Sequence, residues 1–196
     1  PDTLFSLIAG GALSSAMIPV LLSARQNDGE RAAWRLVSLV LTALLAFMAL
    51  VVLIVGLFTP FFVRTLLAPG FDATTSQLTV TLTRVMLVQP LVLAVGSVAT
   101  AVLNSRNRFL PTALSIVSHN VALIAGIIAS RFIPGLGILG PTLGVIGGAL
   151  LQVVILSPGL RGGEGRLSLA FNPADSRLHE VVRLLIPNGL SVGVNY

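Results

Sequence analysis

Hydrophobic positions in this chain come in long unbroken runs, without the spacing of a helix or strand that keeps one face wet. Between Leu36 and Val63 there are 28 consecutive residues without a charged side chain. Four more such runs occupy Thr3 to Ala24, Val85 to Ser105, Phe109 to Ser130 and Phe132 to Leu160, and a sixth begins at Leu184 and continues to Tyr196. An α-helix needs about 20 apolar residues to cross a hydrocarbon core of ~30 Å at ~1.5 Å per residue, and the first five runs all meet that length. A soluble protein can bury one such helix, but five leave too little polar surface to enclose them. Transmembrane β-barrel strands alternate over about 10 residues, which these runs do not. The pattern therefore predicts an all-α, polytopic transmembrane helix bundle in one domain over residues 1–196. Its helices are expected at about 3–24, 36–63, 78–104, 109–130, 137–159 and 184–196. The last stops short of a full crossing and the chain begins with Pro1, so a piece of a longer protein is expected.

The segments between runs read as turns. Arg25-Gln-Asn-Asp-Gly-Glu-Arg31 is a short polar loop, with Arg31 and Arg35 at the start of the next helix facing headgroups. Ala68-Pro-Gly-Phe-Asp72 is a Pro-Gly turn, and Thr74, Thr75 or Ser76 after it would cap the following helix. Phe132 to Pro141 is apolar and rich in Gly and Pro, as in a loop near the membrane interface. From Arg161 to about Arg183 runs the longest polar stretch, in which Asn172-Pro-Ala-Asp175 would start a short interfacial helix over 176–183.

Charge gives the orientation. All 12 basic residues are arginines. The first, third and fifth inter-run segments hold nine of them (Arg25, Arg31, Arg35; Arg106, Arg108; Arg161, Arg166, Arg177, Arg183), and the second and fourth hold Arg64, Arg84 and Arg131. Alternate loops lie on opposite faces of a membrane, and the arginine-rich set is cytoplasmic by the positive-inside rule. The first helix then runs from outside to inside, which in a chain without a visible signal peptide implies a further helix upstream.

Composition adds exclusions. Hydrophobic residues make up 55%, charged ones 10%, and mean hydropathy is +0.96. With no cysteine there are neither disulfides nor thiolate metal sites. The net charge of +5 does not point to nucleic acid, because the basic residues are divided between two membrane faces and there is one Trp and one Tyr. No metal-spaced His/Cys/Asp/Glu cluster, P-loop, H-E-x-x-H or Ser-His-Asp arrangement is present, so no enzyme is expected and no cofactor. A passive or ion-coupled transporter, or a structural membrane protein, remains.

No ionised group sits in the middle of a run, where it would mark function. The polar residues there are Gln89, His119, Asn120, Gln152 and Asn188, with Ser14 and Ser15 in the first run. Pro90 lacks a backbone donor and is expected to kink its helix around Gln89, a shape that suits a transporter. His119 and Asn120 read either as hydrogen-bonding partners between helices or as lining of a polar cavity, and Gln89 and Gln152 divide in the same way. Gly140, Gly144, Gly147 and Gly148 have the spacings of close helix packing. Arg106 and Arg108 are headgroup anchors on one reading and substrate contacts on another.

Four segments carry a resemblance: Gly11-Ala-Leu-Ser-Ser-Ala-Met-Ile-Pro-Val-Leu21, Ala68-Pro-Gly-Phe-Asp72, Leu103-Asn-Ser-Arg-Asn-Arg-Phe109 and Gly147-Gly-Ala-Leu-Leu-Gln152. In order and spacing they are similar to those of the MurJ/MviN family, the lipid II flippases, from the second helix to the start of the seventh in a fold of about fourteen. The resemblance implies the N-terminal half of a two-bundle transporter of the multidrug/oligosaccharidyl-lipid/polysaccharide exporter superfamily. It also implies a multi-pass protein of the bacterial cytoplasmic membrane that flips an undecaprenyl-pyrophosphate-linked peptidoglycan precursor by alternating access, for cell-wall synthesis. Its partners would be that substrate and membrane lipid, with room left for a coupling ion. Ser14, Ser15, Gln89, His119 and Asn120 would form polar cavity wall, and Arg106 and Arg108 a cytoplasmic rim that attracts the pyrophosphate. Where the family often carries Leu-Arg-Arg this chain reads Leu4-Phe5-Ser6, and Gly10 replaces a common acidic residue. Cationic substrate contacts would then come from other helices, or this homologue handles its substrate differently. Two further readings stand beside this one. One is an exporter of the same superfamily for another polyprenyl-linked glycan or a small cation, the latter disfavoured by the lack of a membrane carboxylate. The other is a transport-inactive scaffold of the cell-wall machinery.

Overall fold

The computed structural model describes residues 12–67, 70–160 and 175–194, so positions 3–11 of the first expected helix and the loop 161–174 lie outside the description. The described residues are helical almost throughout and contain no strand. In order they form α1 (Ala12–Phe62), a π-helical turn (Val63–Leu67), α2 (Ala73–Met86), α3 (Val88–Ser105), α4 (Phe109–Phe132), α5 (Leu139–Leu160) and α6 (Ser176–Val194). Among the described residues, four stretches are long and apolar enough to cross a membrane: Leu13–Thr65, Ala73–Ser105, Phe109–Phe132 and Leu139–Pro158. This is a multi-pass membrane protein.

The first stretch is two crossings. Gly29 takes φ 85° and ψ 177° inside α1, a conformation open to glycine and strained for residues with a Cβ. It folds the helix back on itself, so that Leu13 and Met17 share a core with Val40, Leu44 and Met48. The expected loop over 25–31 is thus reduced to one residue, and both flanks stay helical. An uncharged run ends where hydrocarbon ends, whereas a helix continues into water until something caps it. The same reason moves two other expected boundaries. α2 starts at Ala73 and not 78, because Asp72 accepts from the N–H groups of Thr74 and Thr75 (3.1 and 3.2 Å), and none of the expected caps Thr74, Thr75 or Ser76 does so. No break separates an interfacial helix 176–183 from a crossing at 184. α6 is continuous from Ser176, with the Asp175 carboxylate accepting from the Arg177 N–H at 3.0 Å.

α3 is the centre of the bundle. Its small residues Ala94, Val98, Ala101 and Val102 pack on the folded α1, while Ala99 and Leu103 meet Leu156 of α5. A Cβ at Gly96 would lie 3.6 Å from the Gln152 amide nitrogen, so that side chain rests against the α3 backbone. α5 holds α4 through glycine. A Cβ at Gly126 would come within 2.4 Å of the Gly140 carbonyl oxygen, one at Gly144 within 2.8 Å of the Ala122 oxygen, and one at Gly148 within 2.8 Å of the His119 oxygen. Gly147 faces open space. Among these helices dispersion over a close contact replaces the hydrophobic effect, which is weak between apolar surfaces in lipid. Away from α5, α4 exposes Leu114, Val117, Val121, Ile124 and Ile128, and only Ser115 is buried on the whole helix. Such a surface suits hydrocarbon and not water. Hydroxyl groups in the spans bond their own helix: Thr42 to the Ser38 carbonyl, Thr59 to Val55 and Ser157 to Val154. A polar side chain in a bilayer is thereby satisfied without a partner helix.

Candidate functional site at the cytoplasmic ends of the helices

The turn between α3 and α4 shows why Leu103-Asn-Ser-Arg-Asn-Arg-Phe109 has its sequence. Asn107 adopts φ 57°, the left-handed conformation that asparagine tolerates better than most residues. Its N–H bonds the Asn104 carbonyl at 3.0 Å, and the Arg108 N–H bonds that of Leu103 at 2.9 Å. These two bonds are the Schellman closure of a helix C-terminus. The Asn104 side-chain oxygen also accepts from the Thr112 hydroxyl at 3.2 Å, tying the end of α3 to the start of α4.

That closure sends the two arginines in different directions. Arg106 turns inward, with its side chain 12% exposed, and forms an ion pair with Glu30. Its guanidinium carbon also lies 5.2 Å from the centre of the Trp34 ring, within cation–π range. Arg25 reaches the other Glu30 oxygen at 2.6 Å. Two arginines thus share one carboxylate at the end of a hairpin and the end of α3. Beside them is a small cleft lined by Leu21, Arg25, Glu30, Trp34, Val102 and Arg106 among others. Arg108 is exposed and makes no ion pair among the described residues. At the Gly29 turn of α1, Arg177 of α6 pairs with Asp28. An open groove of about 790 Å³ adjoins that pair, with Arg31, Arg35 and Asp175 in its wall.

The expected cavity residues do not converge. Ser14 is half-buried and Ser15 exposed, both on α1, which packs against α3 and α6. His119 and Asn120 are on α4, whose main neighbour is α5. His119 stands against Gly148, its Nδ1 buried without a hydrogen-bond partner, and Asn120 faces outward and donates to the Ile116 carbonyl at 3.0 Å. Gln89 is fully buried in the first turn of α3. Pro90 is next to it, and the hydrogen-bond ladder is interrupted at Leu87, which keeps helical backbone angles (φ −65°, ψ −13°), because the Pro90 ring removes the donor for the Met86 carbonyl. Sequence reasoning missed Glu30 and Trp34. One signal was available: they are four residues apart, on one helical face, in a turn with arginines on both sides.

Comparison with known proteins follows the same architecture. A curated relative from Synechocystis sp., named a probable lipid II flippase MurJ, is 28% identical over 209 residues, covering 100% of this chain and 38% of that protein. Another from Burkholderia cenocepacia, named lipid II flippase MurJ, is 28% identical and is matched over 99% of this chain and 39% of its own length. The chain therefore spans about two fifths of these relatives. A solved structure described as lipid II flippase MurJ in an inward closed conformation superposes with a TM-score of 0.68 at 20% identity, over 99% of this chain and 39% of that one, which establishes the shared fold. The family model described as lipid II flippase MurJ matches residues 1–196, and the chain belongs to that family.

Proposed function

We propose that the protein flips lipid II, the undecaprenyl-pyrophosphate-linked peptidoglycan precursor, across the bacterial cytoplasmic membrane by alternating access. In this reading the chain supplies most of the N-terminal bundle. The observation that carries it is the family match over the whole chain. Physical need agrees: a pyrophosphate and a sugar-peptide head cannot enter hydrocarbon without replacing their water, and transporters of this kind lower that barrier with a hydrated cavity between two rocking bundles. The glycine-tight α4–α5 pair and the α1–α3 core would move as rigid bodies. Gly29 and the break before Pro90 are where backbone angles change most easily.

Within this reading the rim arginines divide the work. Arg108, exposed, attracts the pyrophosphate in the inner leaflet, and Arg106, held by Glu30, sets the shape of the cytoplasmic end. Ser14, Ser15 and Asn120 present hydroxyl and amide groups at accessible surfaces and would contribute polar wall. Gln89, buried in the bundle, and His119, partly buried against Gly148, would act by holding helices together. Survival of flippase-depleted bacteria on the full-length gene tests the reading. Rescue is expected; a protein that reaches the membrane but does not rescue would point to the scaffold. In the full-length protein, Arg108→Ala should lower the initial flipping rate by about fivefold, the scale of one arginine at a membrane surface, with little change in melting temperature. Arg106→Ala should do the reverse.

A further inference from the structure

Pro60 lies inside α1 and has no N–H, so the Gly56 carbonyl four residues earlier loses its helical donor. Arg84 of α2 fills the vacancy: its Nε donates to the Gly56 oxygen at 3.1 Å. An arginine fixed through Nε keeps its two terminal amino groups in a defined plane, and those of Arg84 have no hydrogen-bond or carboxylate partner among the described residues. Two counts give its depth. From Leu36, the first residue after the last inner-face charge of α1, about 20 residues of helix cross the hydrocarbon and end next to Gly56. Counting back about 20 from Ser105, at the cytoplasmic end of α3, reaches Met86, two residues short of Arg84. Arg84 and Gly56 therefore meet at the outer edge of the hydrocarbon.

Adjoining this point is a shallow, open groove, walled by Val52, Leu53 and Leu57 of α1, by Leu87 between α2 and α3, and by Val88 and Leu91 of α3, with Arg84 as the only charged group among its lining residues. Leu53, Leu57 and Val88 are about half exposed or more. We infer that this groove binds a phospholipid of the outer leaflet, its phosphodiester on the Arg84 amino groups and one acyl chain along the apolar wall. The order of the groove, cation at the headgroup level and hydrocarbon beside it, is the order of that molecule. A helix of another protein would have to bring a carboxylate to the same depth. One cation balances the single charge of a phosphodiester, whereas a pyrophosphate would bring further charge with nothing to meet it.

The test uses the full-length protein with a fluorophore placed in the groove by Leu57→Trp, and follows the quenching this adds when phosphatidylglycerol with brominated acyl chains is titrated in. Pro60→Ala serves as background, because it returns an N–H to the Gly56 carbonyl and lets Arg84 be changed without orphaning it. In that background, Arg84→Gln should raise the half-quenching concentration about fivefold, with the melting temperature unchanged. Brominated diacylglycerol, which lacks the phosphate, should quench the background protein and its Arg84→Gln variant alike and weakly. Equal half-quenching by phosphatidylglycerol in the two proteins would overturn the assignment. So would quenching by diacylglycerol as strong as by phosphatidylglycerol, or stronger displacement of the quencher by undecaprenyl pyrophosphate than by unbrominated phosphatidylglycerol. None of these outcomes depends on flipping activity.

Discussion

Glu30 neutralises two arginines, and its side chain is only 23% exposed, so removing its charge is not equivalent to cutting a surface ion pair. Exposed pairs contribute about 0–1 kcal/mol, and stranding a buried cation costs about 3–5 kcal/mol; Arg106, 12% exposed and stacked on Trp34, lies between these limits. Glu30→Gln should therefore destabilise the full-length protein by about 1–3 kcal/mol, read as a lower melting temperature in detergent, while Arg25→Gln, at a side chain 41% exposed, should cost less than about 1 kcal/mol. Adding Arg106→Gln to Glu30→Gln should recover part of the loss, since the stranded cation goes too. Asp72 offers a pH test outside the membrane. The Thr75 hydroxyl above all, with the backbone N–H groups of Thr75 and Thr74, holds its carboxyl below the usual 3.8. A carboxyl lowered on folding stabilises above the unfolded pKa and loses that contribution as pH falls through the lower folded value. Amide exchange at the start of α2, corrected for intrinsic rate, should stay slow down to about pH 4 and speed up below it. Asp72→Asn, which caps without titrating, should show no such step.

Helix contacts divide the glycines of α5 by what each faces. At Gly126 of α4 a methyl group would meet the Gly140 carbonyl at 2.4 Å, backbone that cannot move aside without the helix, so Gly126→Ala should cost about 1–3 kcal/mol by overpacking. Gly147→Ala, facing open space, should stay within about 0.5 kcal/mol of the parent in the same thermal assay. The sequence showed four glycines at packing distances and could not separate Gly147 from Gly148, because which side of a helix meets a neighbour depends on the neighbour. Helix ends were legible for a related reason only in part. Charge marks the edge of hydrocarbon, but a helix turns or ends where Gly29 or Asn107 sets the backbone and begins where Asp72 or Asp175 accepts from its first N–H groups. Arg106 looked like a free rim cation since its carboxylate lies 76 positions away in the chain. Arg84 likewise read only as a charge between two uncharged runs, near the start of the helix expected over 78–104, although Pro60, four residues past Gly56, was a visible sign that a carbonyl needed a donor.

Sidedness is a property of the whole molecule, and the roles of Arg108 and Arg84 depend on it. The arginine count puts the Gly29 and Asn107 turns inside, and the fold is consistent with that count: both turns lie at one end of the bundle, where Arg106 meets Glu30, while Arg84 meets Gly56 toward the opposite end. Long helices also constrain the answer, since α1 after Gly29 and α2 with α3 each run well beyond one hydrocarbon thickness, and the surplus lies on the Asp72 side. Single cysteines in an otherwise cysteine-free full-length protein test this directly. Gln26→Cys sits on the exposed face of the Gly29 turn, and Thr74→Cys and Ile138→Cys are exposed at the other end. A membrane-impermeant maleimide added to intact spheroplasts should label the Thr74 and Ile138 variants within minutes and leave the Gln26 variant unmodified until the membrane is opened. Labelling of the Gln26 variant alone would invert the bundle. Arg108 would then face the outside, where no precursor waits, and the Arg84 groove would belong to the inner leaflet.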